Sequence, residues 1–206
     1  MNYKTESGTV IGNVEAKYES KNPISRALMN GFLAAFDHLV LRTGATEVHE
    51  IGCGEGHLSA RMARMGLTVR SSDFSHEIIE QAAALNSSPQ ISYAVRSIYD
   101  LSAKTDRAPL IVCCEVLEHL EDPDKGLAIL AKVTDGHCIL SVPREPLWRA
   151  LNMARGKYID DFGNTPGHIR HWGKSGFVRF VSSQFDILEV LSPLPWTMLL
   201  CRPKSA

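Results

Sequence analysis

The chain has 206 residues, of which 44% are hydrophobic and 22% are charged, and its formal net charge is −1. This size fits one domain with a substantial buried core, and the composition is that of an ordinary globular protein. The near-neutral charge disfavours a protein devoted to duplex nucleic acid, and no apolar run reaches the roughly 18 residues that a membrane span needs.

The N-terminal part is predicted to be a polar segment followed by one amphipathic helix. Residues 1–16 lack the basic-then-apolar order of a secretory signal and are expected to be poorly ordered or to form a lid. The helix is predicted from Ile24 to Leu41, and Gly44 is suited to ending it. Its apolar face is made of Leu28, Phe32, Ala35, Phe36 and Leu39.

Alternating strand and helix patterns follow, which is typical of a parallel sheet covered by helices. Strands are predicted at 47–51, 68–72, 91–95, 110–114 and 136–143, with helices at 58–65 and 76–85. Two further strands, 186–191 and 197–201, are joined by so short a connection that they must be antiparallel. The predicted fold is a doubly wound, Rossmann-like α/β sandwich of seven strands with an antiparallel last strand.

The first predicted strand ends in a glycine-rich turn with the pattern E-x-G-x-G-x-G, from Glu50 to Gly56. Glycines at alternate positions allow positive φ and let the backbone approach a ligand closely. The helix that follows offers free N–H groups to a polar ligand group. A dinucleotide-binding turn would instead have glycine at position 57, which is His57. An ordinary tight turn between a strand and a helix is the alternative.

The turn resembles motif I of the class I S-adenosylmethionine-dependent methyltransferases. In that family the turn lies under the methionine part of the cofactor, and its first acidic residue lies near the amino end of the cofactor. The resemblance therefore implies S-adenosyl-L-methionine as the cofactor, bound by Glu50, Gly52, Cys53, Gly54 and Gly56.

Two later positions match the nucleoside half of such a site. Asp73 lies 23 residues after Glu50, where a carboxylate accepts hydrogen bonds from ribose hydroxyls, and Phe74 is placed to pack near adenine. Asp73 is also a candidate N-cap of the helix at 76–85. The family usually has an acidic residue beside the adenine amine where this chain has Ser97, so Ser97 and Ile98 are the expected contacts there.

The fourth strand is followed by Glu115-Val116-Leu117-Glu118-His119. This run resembles the E-V-L-E-H signature of the O-methyltransferases of quinone biosynthesis, and Glu115 is counted among the cofactor contacts. The N/D-P-P-Y signature of enzymes that methylate adenine N6 or glutamine is absent from this position. The resemblance implies methyl transfer to a small-molecule hydroxyl, on a secondary metabolite or a quinone- or lipid-like acceptor.

The same run also suggests a metal site. On a helix, Glu115, Glu118 and His119 would share one face and could hold Mg²⁺, Mn²⁺ or Zn²⁺, with His168 or His171 as a further ligand. The 2′-O-methyltransferases that act at the 3′ end of small RNAs resemble this arrangement. Such a metal would bind adjacent hydroxyls and lower the pKa of one. In the alternative interpretation the glutamates bond to loops, and His119 packs or transfers protons without a metal.

The segment from residue 144 to 179 is predicted to determine the choice of substrate. It holds seven Lys or Arg residues against three acidic ones, interleaved with aromatic residues. It can be a cover over an aromatic or anionic substrate, an interfacial helix within 147–162 for a lipidic one, or a solvated flap. A turn at 164–168 would direct His168 toward the site. His119, His168 and His171 are therefore the candidate general bases.

The chain is expected to be a single domain over 1–206. It would comprise an N-terminal lid and helix (1–45), a cofactor-binding half (46–143) and a substrate-side part with the last helix and hairpin (144–206). The cysteines show no C-x-x-C pair and are expected to be reduced core residues of a cytoplasmic protein. They are Cys53, Cys113, Cys114, Cys138 and Cys201.

Three functions other than small-molecule O-methylation stay open at this point. One is metal-dependent 2′-O-methylation of an RNA end, which a basic single-strand groove would support. The second is a non-catalytic module that binds S-adenosylmethionine or a partner. The third is a nicotinamide-dependent oxidoreductase, which preferential binding of NAD would establish.

Overall fold

The computed structural model describes residues 22–154, 156 and 158–205, together with the backbone of residues 5–6 and 9–10. The four residues described near the N-terminus form an antiparallel ribbon of β1 (Thr5–Glu6) and β2 (Thr9–Val10). Apart from this ribbon, the segment predicted at 1–16 to be a lid or poorly ordered lies outside the described residues.

The remaining elements alternate between helices and strands. They are α1 (Pro23–Thr43), β3 (Glu47–Ile51), α2 (His57–Arg64), β4 (Thr68–Asp73), α3 (His76–Leu85), β5 (Ile91–Val95), β6 (Ala108–Cys114), α4 (Pro123–Val133), β7 (Thr134–Pro143), α5 (Leu147–Ala154), α6 (Lys174–Val181), β8 (Phe185–Leu191) and β9 (Trp196–Pro203). Short 3₁₀ turns occupy Ile98–Asp100, Leu117–His119 and Ile159–Asp161.

One seven-stranded sheet forms the centre of the molecule, in the order β5-β4-β3-β6-β7-β9-β8. Strands β3 to β7 pair in parallel, whereas β9 runs antiparallel to both of its neighbours, β7 and β8. The predicted doubly wound, seven-stranded fold with an antiparallel last strand is confirmed. The strand order reverses between β3 and β6, which is where open α/β sheets bind their ligands.

Both faces of the central strands are buried, because helices cover the sheet on each side. Alternate side chains of β6, such as Leu110 and Ile111, point to opposite core clusters, since successive strand residues face opposite ways. Phe32 and Phe36 of α1 fill one cluster, and Phe177 of α6 packs into the other. Strands buried on both faces have continuous apolar sequences, as β6 does. Among the described residues, no helix is long and apolar enough to cross a membrane.

Helix α1 is fastened along both flanks. Asp37 accepts two hydrogen bonds of 2.5 Å from Arg61 of α2. On the other flank, Glu189 of β8 lies 2.6 Å from Nη1 of Arg42 and 3.1 Å from Nε2 of His38. The helix begins after the Asn22 cap and ends at Gly44, which has the left-handed φ of +62° expected of a C-terminal stop. These contacts fix α1 against the sheet as one wall of the core.

Candidate functional site

The candidate site lies at the carboxyl ends of β3, β4 and β6. The backbone N–H groups of Gly52 and Cys53 both donate to the carbonyl of Ser72, at 2.7 and 3.0 Å, which ties the glycine turn to β4. A Cβ placed on Gly52 would collide with the side chain of Val116, in the turn that follows β6. The glycine turn and the segment after β6 are therefore in direct contact.

The three glycines of the turn have different reasons to be glycine. All have positive φ, of +74° at Gly52, +52° at Gly54 and +78° at Gly56. A Cβ on Gly52 would meet Val116, and one on Gly56 would meet the Tyr93 hydroxyl, whereas no atom of the described residues lies within 4 Å of a Cβ on Gly54. Gly52 and Gly56 are thus required by neighbouring protein atoms. Gly54 borders open space, which is the property that a ligand-facing glycine needs.

Asp73 links the end of β4 to the glycine turn. Its Oδ2 accepts a hydrogen bond from Gly54 N and its Oδ1 from Ser75 N, both at 3.1 Å. The alternative role as N-cap of α3 is wrong, because the cap is Ser75, whose Oγ accepts from Ile78 N at 3.2 Å. Burial raises the pKa of Asp73, and its backbone hydrogen bonds oppose that shift. The neighbouring Phe74 is 39% exposed, so its ring is available for packing against a ligand.

Glu50 lies beneath the turn rather than at its surface. Its side chain is 3% exposed and accepts a hydrogen bond from the Ser59 hydroxyl of α2. The Ser59 hydroxyl also lies 2.8 Å from that of Ser71. Burial raises the pKa of Glu50 to about 8, against the lowering effect of the Ser59 hydrogen bond, and the nearby Asp73 carboxylate adds to the rise. The expected contact between Glu50 and the amino end of a cofactor stays a prediction.

Three further residues that were predicted to bind the cofactor, Cys53, Ser97 and Ile98, are buried or make contacts within the protein. Cys53 is buried, which raises the pKa of its thiol well above the usual range. The Ser97 hydroxyl accepts from Tyr99 N at 3.3 Å and caps the turn at Ile98–Asp100. Ile98 itself is buried in the core cluster beneath α4. Adenine contacts of Ser97 and Ile98 also stay predictions.

Glu115 is separated from the residues with which it was predicted to bind a metal. The condition under which Glu115, Glu118 and His119 would share one helix face is not met, because Glu115 has a φ of +60° and a 3₁₀ turn follows, at Leu117–His119. The Glu115 carboxylate instead accepts from Trp196 Nε1 at 2.8 Å and from Ser141 Oγ at 3.1 Å. These partners hold it against β7 and β9.

The structure does bring together Glu118, His119 and His168. One carboxylate oxygen and one ring nitrogen from each histidine lie within 4.8 Å of one another, and Glu115 is not in this group. Glu118 is 1% exposed and His168 is 8% exposed. The two imidazole rings meet edge to face with their centroids 4.8 Å apart. His119 Nδ1 lies 2.8 Å from the Gly167 carbonyl and donates to it, so Nε2 is the basic nitrogen of the neutral ring.

A tight turn brings His168 to this group. His168 N donates to the Thr165 carbonyl at 3.1 Å, with Pro166 at the second position and Gly167, at a φ of +87°, at the third. These are the residue preferences of a type II turn. Beyond the turn, the N–H groups of residues 169 and 170 both donate to the Glu118 carbonyl at 3.0 Å. The turn is thereby fixed to the segment after β6.

His171 does not join the group. It is exposed, and its Nε2 lies 2.8 Å from the side-chain oxygen of Asn164. One residue absent from the sequence-based prediction of the site does contribute to it: Trp196, which bonds to Glu115. Trp196 carried no local signal, because its partner is far away in the sequence. Thr165 begins the turn that was predicted at 164–168.

The segment predicted to make interfacial contact is partly buried and partly exposed. Asn152 of α5 is 1% exposed. Three apolar side chains are well exposed: Met153 (43%), Ile159 (62%) and Phe162 (72%). Contact of this segment with a lipid or membrane surface stays a prediction.

Comparisons with known proteins find relatives among the methyltransferases. A family model described as a methyltransferase domain matches residues 49–140. Over these residues, which are fewer than half of the chain, the chain is similar to that family. The ubiquinone biosynthesis O-methyltransferase of Xanthomonas oryzae pv. oryzae is 35% identical over 125 residues, which are 58% of this chain and 52% of that relative. The chain thus spans about half the length of the curated relatives it matches.

Solved structures extend the likeness of the methyltransferase domain to nearly the whole chain. The magnesium protoporphyrin IX methyltransferase of Synechocystis PCC 6803, solved with bound S-adenosylhomocysteine, has a TM-score of 0.67 at 19% identity, covering 90% of this chain and 89% of that one. The N-methyltransferase NodS of Bradyrhizobium japonicum WM9, also solved with S-adenosylhomocysteine, has a TM-score of 0.67 at 19% identity and covers 94% of each chain. At this identity the likeness shows the class I fold, which serves different acceptors.

Proposed function

We propose that this chain is an S-adenosylmethionine-dependent methyltransferase whose acceptor is a hydroxyl of a small, quinone- or lipid-like molecule. The observation that carries the proposal is the contact between two parts of the site. The glycine turn, with open space at Gly54, packs through Gly52 against the segment that holds Glu118 and His119. A methyl donor over the turn would therefore lie next to titratable groups suited to an acceptor.

The donor side of the proposal rests on Gly54 and Asp73. The open space beside Gly54 gives room for the methionine part of the cofactor. Asp73 is held at the edge of that space by its bond to Gly54 N and is placed to accept hydrogen bonds from ribose hydroxyls. Phe74 offers an exposed ring to the adenine.

The acceptor side rests on the two histidines beside Glu118. In an in-line transfer the acceptor oxygen bonds to the methyl carbon as the carbon–sulfur bond breaks and its electron pair returns to sulfur. The hydroxyl proton must leave, and a neutral imidazole of His119 or His168 can take it near neutral pH. The protein then contributes positioning and deprotonation, with no covalent intermediate.

The same three side chains fit a divalent metal, since a carboxylate oxygen and two imidazole nitrogens converge within 4.8 Å. Glu118, His119 and His168 would be its ligands, and the bound metal would supply a lowered pKa to a coordinated hydroxyl. Glu115 is not part of this set.

The names of the curated relatives favour a small-molecule hydroxyl over the other acceptors. The Xanthomonas relatives are described as ubiquinone biosynthesis O-methyltransferases, at 33–35% identity. Neither RNA-end methylation nor a non-catalytic module receives comparable support. A nicotinamide-dependent oxidoreductase is not favoured either, because the reported relatives and structural neighbours are methyltransferases.

The test is a transfer assay with S-adenosylmethionine labelled in its methyl group, offered to a catechol acid, a monophenol and a short RNA. We expect label in a hydroxylated aromatic acceptor. The His168→Gln variant should lose most turnover and keep its affinity for S-adenosylhomocysteine, whereas the control His171→Gln should stay active, since His171 lies outside the group. Label in the RNA alone would instead establish RNA-end methylation. Cofactor binding without transfer to any acceptor would indicate a non-catalytic module.

A further inference from the structure

The buried hydroxyl of Thr165 connects α5, by hydrogen bonds, to the turn that carries His168. Thr165 is 7% exposed, and its Oγ1 accepts two hydrogen bonds from α5. One comes from Trp148 Nε1 at 2.9 Å and the other from Asn152 Nδ2 at 3.2 Å. Asn152 also donates to the Gly163 carbonyl at 2.9 Å, so the start of the turn is held by two bonds from one buried amide.

The other end of the same turn is held by Glu118 and His119. Gly167 accepts from His119 Nδ1 at 2.8 Å, and the chain beyond His168 donates to the Glu118 carbonyl. His168 therefore lies on a four-residue turn with one end bonded to α5 and the other to the segment after β6. Movement of either end would displace the His168 ring.

The aromatic contacts of His168 follow the same arrangement. The Trp148 ring lies with its centroid 6.2 Å from that of His168, at an interplanar angle of 30°. The same indole is 5.6 Å from Trp196, the partner of Glu115. The His168 ring thus neighbours both Trp148 and His119. Trp148 both packs near the histidine and fixes its turn through Thr165.

We infer that Thr165 is a positioning residue, whose hydroxyl, held by Trp148 and Asn152, sets the orientation of the His168 ring against Glu118 and His119. The inference rests on the proposed function, in which His168 acts on the acceptor hydroxyl. It makes α5 part of the reaction machinery, although no residue of that helix is in the Glu118–His119–His168 group.

Two substitutions separate positioning from simple packing. Thr165→Val keeps the side-chain volume and removes the acceptor, whereas Thr165→Ser keeps the hydroxyl and removes a methyl group. If Thr165 acts only by packing, the serine variant should change the His168 ring more than the valine variant does. If its hydroxyl positions the ring, the valine variant should have the larger effect. Trp148→Phe tests the same bond from its other end, because it deletes the indole N–H and retains an aromatic ring.

The experiment is NMR of the full chain labelled with ¹⁵N in its histidine rings, at an alkaline pH where the imidazoles are neutral. The His168 signals are assigned by their loss in His168→Gln. His49 serves as an internal reference, because it is buried elsewhere, with its ring nitrogens 3.0 Å from Ser72 Oγ and 3.1 Å from the Asp106 carbonyl. No acceptor is needed, so a chain that transfers no methyl group would refute the proposed function and leave this experiment decisive.

We expect Thr165→Ser to reproduce the wild-type His168 ring signals and their cross-relaxation with the His119 ring. Thr165→Val and Trp148→Phe should shift the His168 signals and lose that cross-relaxation, with the His49 signals unchanged. With an acceptor in hand, Thr165→Val should lower kcat roughly tenfold to a hundredfold and leave cofactor affinity intact, as expected of a small displacement. Wild-type His168 signals in folded Thr165→Val, or in Trp148→Phe should the valine variant not fold, would overturn the inference.

Discussion

The Glu115 carboxylate and the Trp196 indole are joined by a 2.8 Å hydrogen bond that connects the end of β6 to the start of β9. Strand β7 lies between these two strands in the sheet, and its Ser141 hydroxyl donates a hydrogen bond of 3.1 Å to the other oxygen of the Glu115 carboxylate. Glu115 thus ties three adjacent strands together at the edge where the candidate site lies. Its left-handed φ of +60° turns the chain away from the helical path.

This arrangement predicts different metal-binding behaviour for two nearby glutamates. In protein saturated with S-adenosylhomocysteine, we expect Glu118→Gln to lose saturable Mn²⁺ binding, because Glu118 is in the group of potential ligands. Glu115→Gln should retain it, because Glu115 is bonded to Ser141 and Trp196. Calorimetric titration measures both. Equal losses would show that Glu115 is a ligand after all. No Mn²⁺ binding by the wild type would leave His119 and His168 as the bases of a metal-free reaction.

The open space at Gly54 predicts a specific loss of cofactor binding. Gly54 and Gly44 have similar φ values, +52° and +62°, and in the described part of the chain no atom lies within 4 Å of a Cβ on either. Valine at either position should cost about 1–3 kcal/mol of stability from backbone strain. Only Gly54→Val should also abolish S-adenosylhomocysteine binding, because only its side chain would enter the site. Thermal unfolding and calorimetry check the pair. Undiminished affinity in Gly54→Val would remove the glycine turn from the cofactor site.

The proposed contact between Asp73 and the ribose hydroxyls can be tested by changing the ligand as well as the protein. Asp73→Asn keeps one acceptor oxygen for the Gly54 N–H, but it removes the charge that ribose hydroxyls would favour and the oxygen that accepts from Ser75 N. A hydrogen bond to a charged group contributes about 1.5–3 kcal/mol, or roughly 10- to 100-fold in affinity. We expect that loss for S-adenosylhomocysteine and nearly none for its 2′,3′-dideoxy analogue, measured by calorimetry. An equal loss for both ligands would mean that Asp73 acts only through the turn.

The buried carboxyl of Glu50 should make stability depend on pH. Its pKa rises from an ordinary 4.5 to about 8 in the folded chain, so the folded state binds more protons than the unfolded state between these values. The stabilisation is complete below about 4.5 and is lost as the pH rises through about 8. Glu50→Gln removes this dependence, and its stability relative to wild type should increase by up to about 5 kcal/mol across that window. Denaturant unfolding at several pH values measures the difference, and a constant difference would contradict the raised pKa.

The strands were predictable because their signals are local. The first and third predicted strands, 47–51 and 91–95, match β3 and β5 to the residue. Apolar runs bounded by polar turns carry that information within a few positions. The positions of the glycine turn and of Asp73 at adjoining strand ends follow from the same alternation, since the carboxyl ends of parallel strands share one edge of a sheet.

The failures arise where distant residues determine the local conformation. The spacing of Glu115, Glu118 and His119 suits a helix, but Ser141 and Trp196 hold Glu115 in a left-handed conformation that ends β6 abruptly. The burial of Asn152 likewise depends on residues outside its own helix. Its side-chain amide is buried because the chain at 163–165 returns to it and accepts its hydrogen bonds.

The ion pairs on both flanks of α1 bear on whether this helix can move away from the sheet. Separating the helix from the sheet would break the Asp37–Arg61 and Glu189–Arg42 pairs and would expose Phe32 and Phe36 to water. A lid has to open at a small fraction of the free energy of global unfolding. We therefore expect helix α1 to belong to the same cooperative unit as the sheet, so that the amide protons in its middle turns exchange with solvent only through global unfolding.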